Sequence, residues 1–361
     1  MLSRRNVIAA GGVLAAAAAL TTFDWSSAYG ELVDTIWAPA RAPANPDLAF
    51  LVRHATLAAN NHNVQPWLFS GDTRRVLIAP DLARTTPVVD PENHHLFVSL
   101  GCAAENLAIA AGAAGKATAI TLTKVNAVQI DLEGTTQGEP ALFAAITARQ
   151  STRSEFDGRA VDAATLRLLE KAAAIQGIDI RLVTAKPEME RVLEQAVAAN
   201  TAQIKDPAFV AELKSWLRFS ERDAAFRRDG LFSGCSGNPN LPPWIGTLAF
   251  GFAFTAEAEN DKLARQVRSS AGLAIVVSAK DDPAHWVNAG RGFQRFALQS
   301  TALGLRHAVF NQPVEVRATR ATLSQSLGLG AGRPDMVVRF GYAPPMPRSL
   351  RRPVEDVIRT A

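Results

Sequence analysis

Apolar positions along the chain repeat with two different periods, one helical and one strand-like. Leu48, Leu51, Val52 and Ala55 recur at helical spacing behind Asp47, which is placed to cap a helix over 47–59. Ala- and Leu-rich stretches predict further helices over 100–114, 163–174, 188–200 and 289–303. Short apolar or β-branched runs predict strands over 75–79, 119–122, 127–132, 180–183, 273–278 and 336–340. That mixture argues an α+β or α/β protein. Residues 29–46, with the Pro- and Ala-rich run TIWAPARAPANP at 35–46, read as a linker.

The helical pattern repeats. Gly101 opens one apolar helix that closes at Gly115, and Gly290 opens another that closes at Gly304. Leu107 and Phe296 sit at matching offsets, as do Glu105 and Gln294, and a strand-like run follows each closing glycine. A glycine just past a helix end suits the left-handed C-cap. A third feature is the segment 216–254, where Trp216, Phe219, Phe226, Phe232, Trp244, Phe250, Phe252 and Phe254 flank a turn-rich middle. Long loops of this kind are often lids or binding loops, so the segment is expected to cover a site.

The N-terminus reads as an address. Ser3-Arg4-Arg5-Asn6-Val7-Ile8 resembles a twin-arginine export signal, and the run 7–20 that follows carries no charge. It is shorter than the roughly 20 residues that span a bilayer. It suits the apolar region of a secretory signal ending near Ala28 or Ala40, with 1–28 as the expected signal peptide. The expected destination is periplasmic or extracytoplasmic, reached through the twin-arginine machinery, and a retained signal would anchor the chain to the membrane.

Composition narrows the chemistry. The 361 residues are 48% hydrophobic and 20% charged, which excludes a disordered chain and allows about two domains. The net charge of +4 includes Arg4 and Arg5, and no block of five like charges marks a nucleic-acid partner. Cys102 and Cys235 are the sole cysteines, so there is no zinc motif; Cys102 falls in an apolar helix as a core thiol. His94 and His95 are adjacent and point apart, with no spaced third ligand, so no metal site is assigned.

Four segments carry a family resemblance. Asn63-Val64-Gln65-Pro66-Trp67 resembles the N-x-Q-P-W segment of nitroreductases, with Asn60-Asn61 replacing the upstream Pro-Ser. Arg149-Gln150-Ser151-Thr152-Arg153 resembles their R-R-S-x-R segment, with Gln150 in place of its second arginine. Leu350-Arg351-Arg352-Pro353 is similar to the basic segment near their C-terminus, and Leu303-Gly304-Leu305 with Phe310-Asn311-Gln312-Pro313 to the loop beside the flavin. In ordinary nitroreductases the R-R-S segment comes first. The reversed order here resembles the Acg-like branch, in which two nitroreductase-type modules are fused in one chain.

The resemblance covers about residues 47–358 and implies an α+β nitroreductase-like fold. A first module would span 47–140 and a second 141–361, forming an intramolecular pseudo-dimer able to act as a monomer. It implies FMN bound between the modules. Arginine matches the FMN phosphate bidentately. Arg149, Arg351 and Arg352 are the expected phosphate cations, with Arg153 beside them and Ser151 donating a hydroxyl hydrogen bond. Asn61 and Asn63 would meet the amide-like edges of the ring, and a backbone N–H near Asn311 or Gln312 its hydride-accepting nitrogen. No catalytic acid or base is assigned. The implied function is an exported FMN-dependent oxidoreductase acting on a small-molecule acceptor that the sequence does not name. The alternative is a non-catalytic FMN store, sensor or sequestering protein. Complementary loss of motifs predicts one FMN per chain, and export makes NAD(P)H an unexpected physiological donor.

Overall fold

In the computed structural model, which describes residues 24–359, Asp24 caps the first helix. Its carboxylate accepts from the backbone N–H groups of Ser26 and Ser27, and α1 runs Trp25–Ile36. This corrects the linker expected over 29–46, which holds only beyond the helix. Tyr29, Leu32, Val33 and Ile36 recur at helical spacing and pack with Phe232, Cys235 and Leu350. The twin-arginine motif and the apolar run 7–20 lie outside the described residues.

Asp47 caps α2 (Leu48–Thr56), accepting from the Phe50 N–H at 2.7 Å. Strands β1 (Trp67–Gly71) and β2 (Arg75–Pro80) precede the long helix α3 (His94–Ala113), and β3 (Lys116–Leu122) and β4 (Val128–Thr135) follow it. They form an antiparallel sheet in the order β1-β2-β4-β3. Helix α4 (Pro140–Ala148) leads to α5 (Ala163–Ala173) and β5 (Ile178–Val183). An insertion then intervenes: α6 (Lys186–Lys205), α7 (Pro207–Trp216), β6 (Leu217–Arg218), α8 (Glu221–Arg227), β7 (Leu231–Phe232), α9 (Pro243–Ala253) and α10 (Ala256–Arg268). The chain resumes with β8 (Gly272–Ser278), α11 (Pro283–Ala302), β9 (Arg306–Val309), α12 (Gln312–Glu315), α13 (Arg317–Ser326), β10 (Arg333–Gly341) and α14 (Val354–Val357). The second sheet is antiparallel, in the order β5-β8-β10-β9.

Both sheets thus order their strands first, second, fourth, third, with a long helix between second and third. The internal repeat is a repeat of structure. Gly101 and Gly290 do not open their helices, as the sequence suggested; each lies inside one, at the crossing of α3 with α11. A Cβ on Gly101 would sit 2.0 Å from the Val287 carbonyl oxygen, and one on Gly290 would sit 2.0 Å from that of Val98. Each glycine meets the carbonyl three residues before its counterpart, the signature of a local two-fold. Backbone-to-backbone approach, not helix initiation, requires glycine there.

The halves are interlaced at their edges. Ser151 pairs with His307 beside β9, and Ile358 pairs with Phe69 of β1, where the Arg359 N–H donates to the Phe69 carbonyl at 2.7 Å. One apolar core runs through both sheets and the α3–α11 pair, including Trp67, Phe69, Phe293, Phe296 and Phe340. A second packs β8 and β10 against α6, α10 and α13.

Candidate functional site

The loop between α2 and β1 is built on unusual backbone. His62, Asn63 and Gln65 all have positive φ (44°, 53° and 56°), a conformation that non-glycine residues hold only when the surroundings fix it. The fixing bonds are specific. The Gln65 N–H donates to Asn60 Oδ1 at 2.9 Å, and the Gln65 amide donates to the Arg228 carbonyl at 2.9 Å. Gln65 Oε1 accepts from the Arg352 backbone N–H at 2.8 Å. Asn63 Nδ2 donates to the carbonyls of Gly230 (3.1 Å) and Leu350 (3.2 Å), while its Oδ1 accepts from Arg351 at 2.8 Å. Asn63 and Gln65 therefore staple three distant segments: this loop, the insertion and the C-terminal tail. Trp67 fills the core, fully buried.

These staples shape one cavity of about 540 Å³. Of the residues singled out in the sequence, Asn61, Asn63, Arg149, Ser151, Arg153, Asn311, Gln312 and Arg351 all line it. Arg352 does not; it ion-pairs with Asp81 at 3.5 Å and donates to the Asp356 carbonyl, and so falls outside the site. Two roles differ from expectation. The Asn63 amide is consumed by the staple, and Asn61 Nδ2 donates to the Thr86 hydroxyl at 2.9 Å. Arg351 is heavily engaged too, donating to the carbonyls of Thr56 (2.8 Å), Leu350 (3.0 Å) and Ala58 (3.3 Å). Asn311 Oδ1 accepts from the Val337 N–H at 3.0 Å and so pins the loop after β9 to β10.

Two further arginines that sequence reasoning missed line the same cavity, Arg339 and Arg348. The signal for Arg339 was available: a cation inside the apolar run Met336–Val337–Val338–Arg339–Phe340 of a strand buried on both faces. Among the described residues, none of Arg149, Arg153, Arg339, Arg348 and Arg351 makes an ion pair. Burial drives every one below the usual arginine value, to about 10 for Arg149 and about 9 for Arg339 and Arg351. Their neighbours add mutual repulsion: Arg153 bears on Arg149 and Arg339, and Arg348 on Arg149 and Arg351. Arg149 Nε and Arg339 Nη1 are buried with no hydrogen-bond partner, and the Arg153 guanidinium makes no hydrogen bond among the described residues. Five unneutralised, partly unsatisfied cations thus leave this part of the cavity electropositive.

The cavity also holds neutral and acidic groups. Glu315 is pushed up to about 7 by burial, although Gln203 donates to it at 2.7 Å. His95 Nε2 lies 3.6 Å from Glu315 Oε1, and burial holds His95 well below its ordinary value. Gln312 Oε1, His62 Nδ1 and His95 Nδ1 are buried without partners. The insertion contributes apolar surface from Phe219, Leu241, Phe250 and Phe254. Cys102 and Cys235 are both free and buried, and burial raises both thiols. His94 bonds Asp335 at 2.9 Å.

No family model matches the chain. Two curated proteins from Mycobacterium tuberculosis, strains CDC 1551 / Oshkosh and ATCC 25618 / H37Rv, each provisionally named an NAD(P)H nitroreductase, are 24% identical to it over 322 residues, covering 84% of this chain and 88% of theirs. Two solved structures overlap in part. A Desulfitobacterium hafniense nitroreductase with bound FMN is 16% identical, covering 60% of this chain and 95% of its own at a TM-score of 0.38. The Mycobacterium smegmatis FMN-dependent nitroreductase NfnB, in complex with NADPH, is 16% identical, covering 62% and 98% at 0.41. Over most of its length, then, the chain is similar in sequence to proteins that bear the nitroreductase name.

Proposed function

We propose that the chain is an exported, FMN-dependent oxidoreductase of the nitroreductase type, of the branch with two fused modules, passing electrons to a small-molecule acceptor. One observation carries the reading: five arginines, with Arg149, Arg339 and Arg351 buried and Arg153 and Arg348 half-buried, line a single cavity together with neutral amides and aromatic rings, and none is ion-paired among the described residues. A phosphate ester is the anion that suits arginine forks, and a flat conjugated ring suits the rest. Arg149, Arg153 and Arg339 have free donors for the phosphate, with the Ser151 hydroxyl beside them. Arg351, whose donors are largely used, holds Asn63 and the tail in place. Gln312, with an unpartnered buried Oε1, is the amide best placed to accept from a ring N–H. Bound FMN would supply the electron transfer itself, and the protein binds, orients and shields it. The apolar surface from the insertion favours an apolar, planar acceptor. The twin-arginine motif and sequence similarity support export and the nitroreductase reading respectively.

The test is a pair of titrations with the purified chain. FMN is expected to bind at least about tenfold more tightly than riboflavin, since each charged phosphate contact contributes about 1.5–3 kcal/mol. Equal affinities would remove the arginine cluster from the cofactor site. Stopped-flow reduction by an artificial donor, then mixing with an acceptor, separates an oxidoreductase from a flavin store. Replacing Arg4 and Arg5 together by Lys should abolish export; normal export of that variant would refute the address.

A further inference from the structure

Among the described residues, the outer face of α9 is apolar and uncovered. No charged residue occurs anywhere from 230 to 256. The inner side of the helix packs on the insertion: a Cβ on Gly246 would meet Phe219 side-chain carbons at 2.4–2.6 Å, and Phe250 stacks on Phe254 with centroids 4.5 Å apart. On the outer side Trp244, Leu248 and Phe252 repeat every four residues and are 68%, 55% and 84% exposed. Phe226 on neighbouring α8 is 81% exposed. Scattered exposed hydrophobics need no explanation, but a stripe of this size on one helix does.

Two observations say what covers it. The first is where the described chain begins. The start of α1 abuts α8, with the Arg222 guanidinium 5.5 Å from the centroid of the Trp25 ring. The head of α8 is in turn tied to the approach to α9: the Glu221 N–H donates to Asn240 Oδ1 at 3.1 Å, and Asn240 Nδ2 donates to Glu221 Oε2 at 2.9 Å. The described chain therefore begins beside α8, the helix next to the exposed stripe, and the charge-free run 7–20 precedes that point in sequence. The second is the rim. The exposed positions of α8 include Arg222, Phe226 and Arg227, cations beside an aromatic, which is the composition of a surface that meets anionic headgroups and the acyl boundary. A second copy on the same patch would bring those cations face to face.

We propose that α9 lies against a phospholipid bilayer, with Trp244, Leu248 and Phe252 in the interfacial region and Arg222 and Arg227 at the headgroups. The inference stands apart from the flavin reading, since it uses no cavity residue's role.

The test places an environment-sensitive fluorophore on Leu248→Cys in the full chain, with Val125→Cys as control. Val125 is 81% exposed, on the β3–β4 turn, and the native thiols are buried. With vesicles of equal parts phosphatidylglycerol and phosphatidylcholine, the probe at 248 should shift to the blue and the probe at 125 should not. The shift should shrink on pure phosphatidylcholine and in the Arg222→Gln/Arg227→Gln background. Vesicle-bound protein whose 248 probe stays unshifted would overturn the proposal, because the N-terminal segment alone would then be the anchor. So would failure to bind, or a shift without lipid that grows with protein concentration, which would assign the face to a second copy. A probe on Phe226→Cys repeats the reading should the first variant not fold.

Discussion

Replacing Arg149 by Met should affect the empty protein and the flavin complex in opposite directions. The side chain is 3% exposed. Its guanidinium has one hydrogen bond, to the Leu57 carbonyl at 3.1 Å, an unpartnered Nε and no carboxylate. Burial first, then Arg348 and Arg153, bring it from 12.5 down to about 10. That displacement corresponds to roughly 3 kcal/mol of unfavourable charge burial in the folded state. Methionine keeps most of the volume and removes the charge. Against the relief stands the Leu57 carbonyl left without its donor, a cost of about 1–3 kcal/mol. The apoprotein should therefore be as stable as the wild type or more so. The FMN complex should instead lose one charge-assisted phosphate contact, about 1.5–3 kcal/mol, or 10- to 150-fold in affinity. Calorimetry on apoprotein in phosphate-free buffer, followed by FMN titration, reads both quantities. The wild-type Tm should rise steeply with FMN, and the variant's rise should be smaller at every concentration. A variant whose apo Tm falls by several degrees while its FMN affinity is unchanged would show that Arg149 is a structural cation and that the anion binds elsewhere.

Other consequences follow from the same geometry. Gly101→Ala and Gly290→Ala should each destabilise by about 3 kcal/mol or more, the upper end of overpacking, because the obstacle is a backbone carbonyl 2.0 Å away. Urea unfolding of both variants checks this, and a large difference between them would break the two-fold. Burial lowers His54 and His62 to about 4 and His307 to about 3. Below pH 6.5 the unfolded chain takes up protons that these folded histidines refuse, so stability should fall as pH drops from 6.5 toward 4. Glu315 acts with the opposite sign. Its folded carboxyl keeps a proton up to about 7 while the unfolded one releases it near 4.5, so its contribution is full below 4.5 and lost as pH rises through 7. Glu315→Gln should flatten that decline by roughly 3 kcal/mol, and an unchanged slope between pH 5 and 7 would contradict the assignment. Flavin released by denaturation should approach one per chain; a value near two would show a second working site.

What the sequence made legible follows the strength of each local signal. The strand over 180–183 was readable because apolar and charged positions interleave there, those over 75–79 and 273–278 because each carries a short continuous apolar run, and Asp47 marked α2 because a cap is a local device. The starts of α3 and α11 were misread. Glycine is a poor helix former, so Gly101 and Gly290 look like boundaries; the demand for glycine comes from a helix far away in sequence. Arg351 and Arg352 were inseparable as a basic pair, yet one lies in the cavity and the other outside it. Arg352 precedes Pro353, which favours extended backbone, and there neighbouring side chains diverge. Asn63 and Gln65 were legible as a motif but not as a staple, since their partners Arg228, Gly230, Leu350 and Arg352 lie at least 163 residues away in sequence.

A strict two-fold repeat of helix and sheet would give two equivalent clefts, but the connections of the two halves differ. In the first half, β3 reaches β4 through the short turn at 123–127, whereas β9 reaches β10 through 310–332, which carries Asn311, Gln312 and Glu315 to the cavity. The reverse holds on the other side. The loop before β1 spans 57–66 and brings Asn61 and Asn63, while β5 is entered through 174–177. Each half has thus kept the elaborate connection that the other lacks, and both face the same cavity. The helices show the same asymmetry. Gln294 of α11 supports the equipped loop, its Oε1 accepting from the Ala59 N–H at 3.3 Å and its Nε2 donating to Asn106 at 2.7 Å. At the matching offset on α3 stands Glu105, buried and closed off by Arg291 at 2.9 Å and Arg295 at 2.8 Å, with Arg295 also holding Glu139. A buried carboxylate paired in this way is costly to open, about 3–5 kcal/mol for loss of a partner. Where α11 places a neutral amide under its loop, α3 therefore places a carboxylate closed off by an ion cluster.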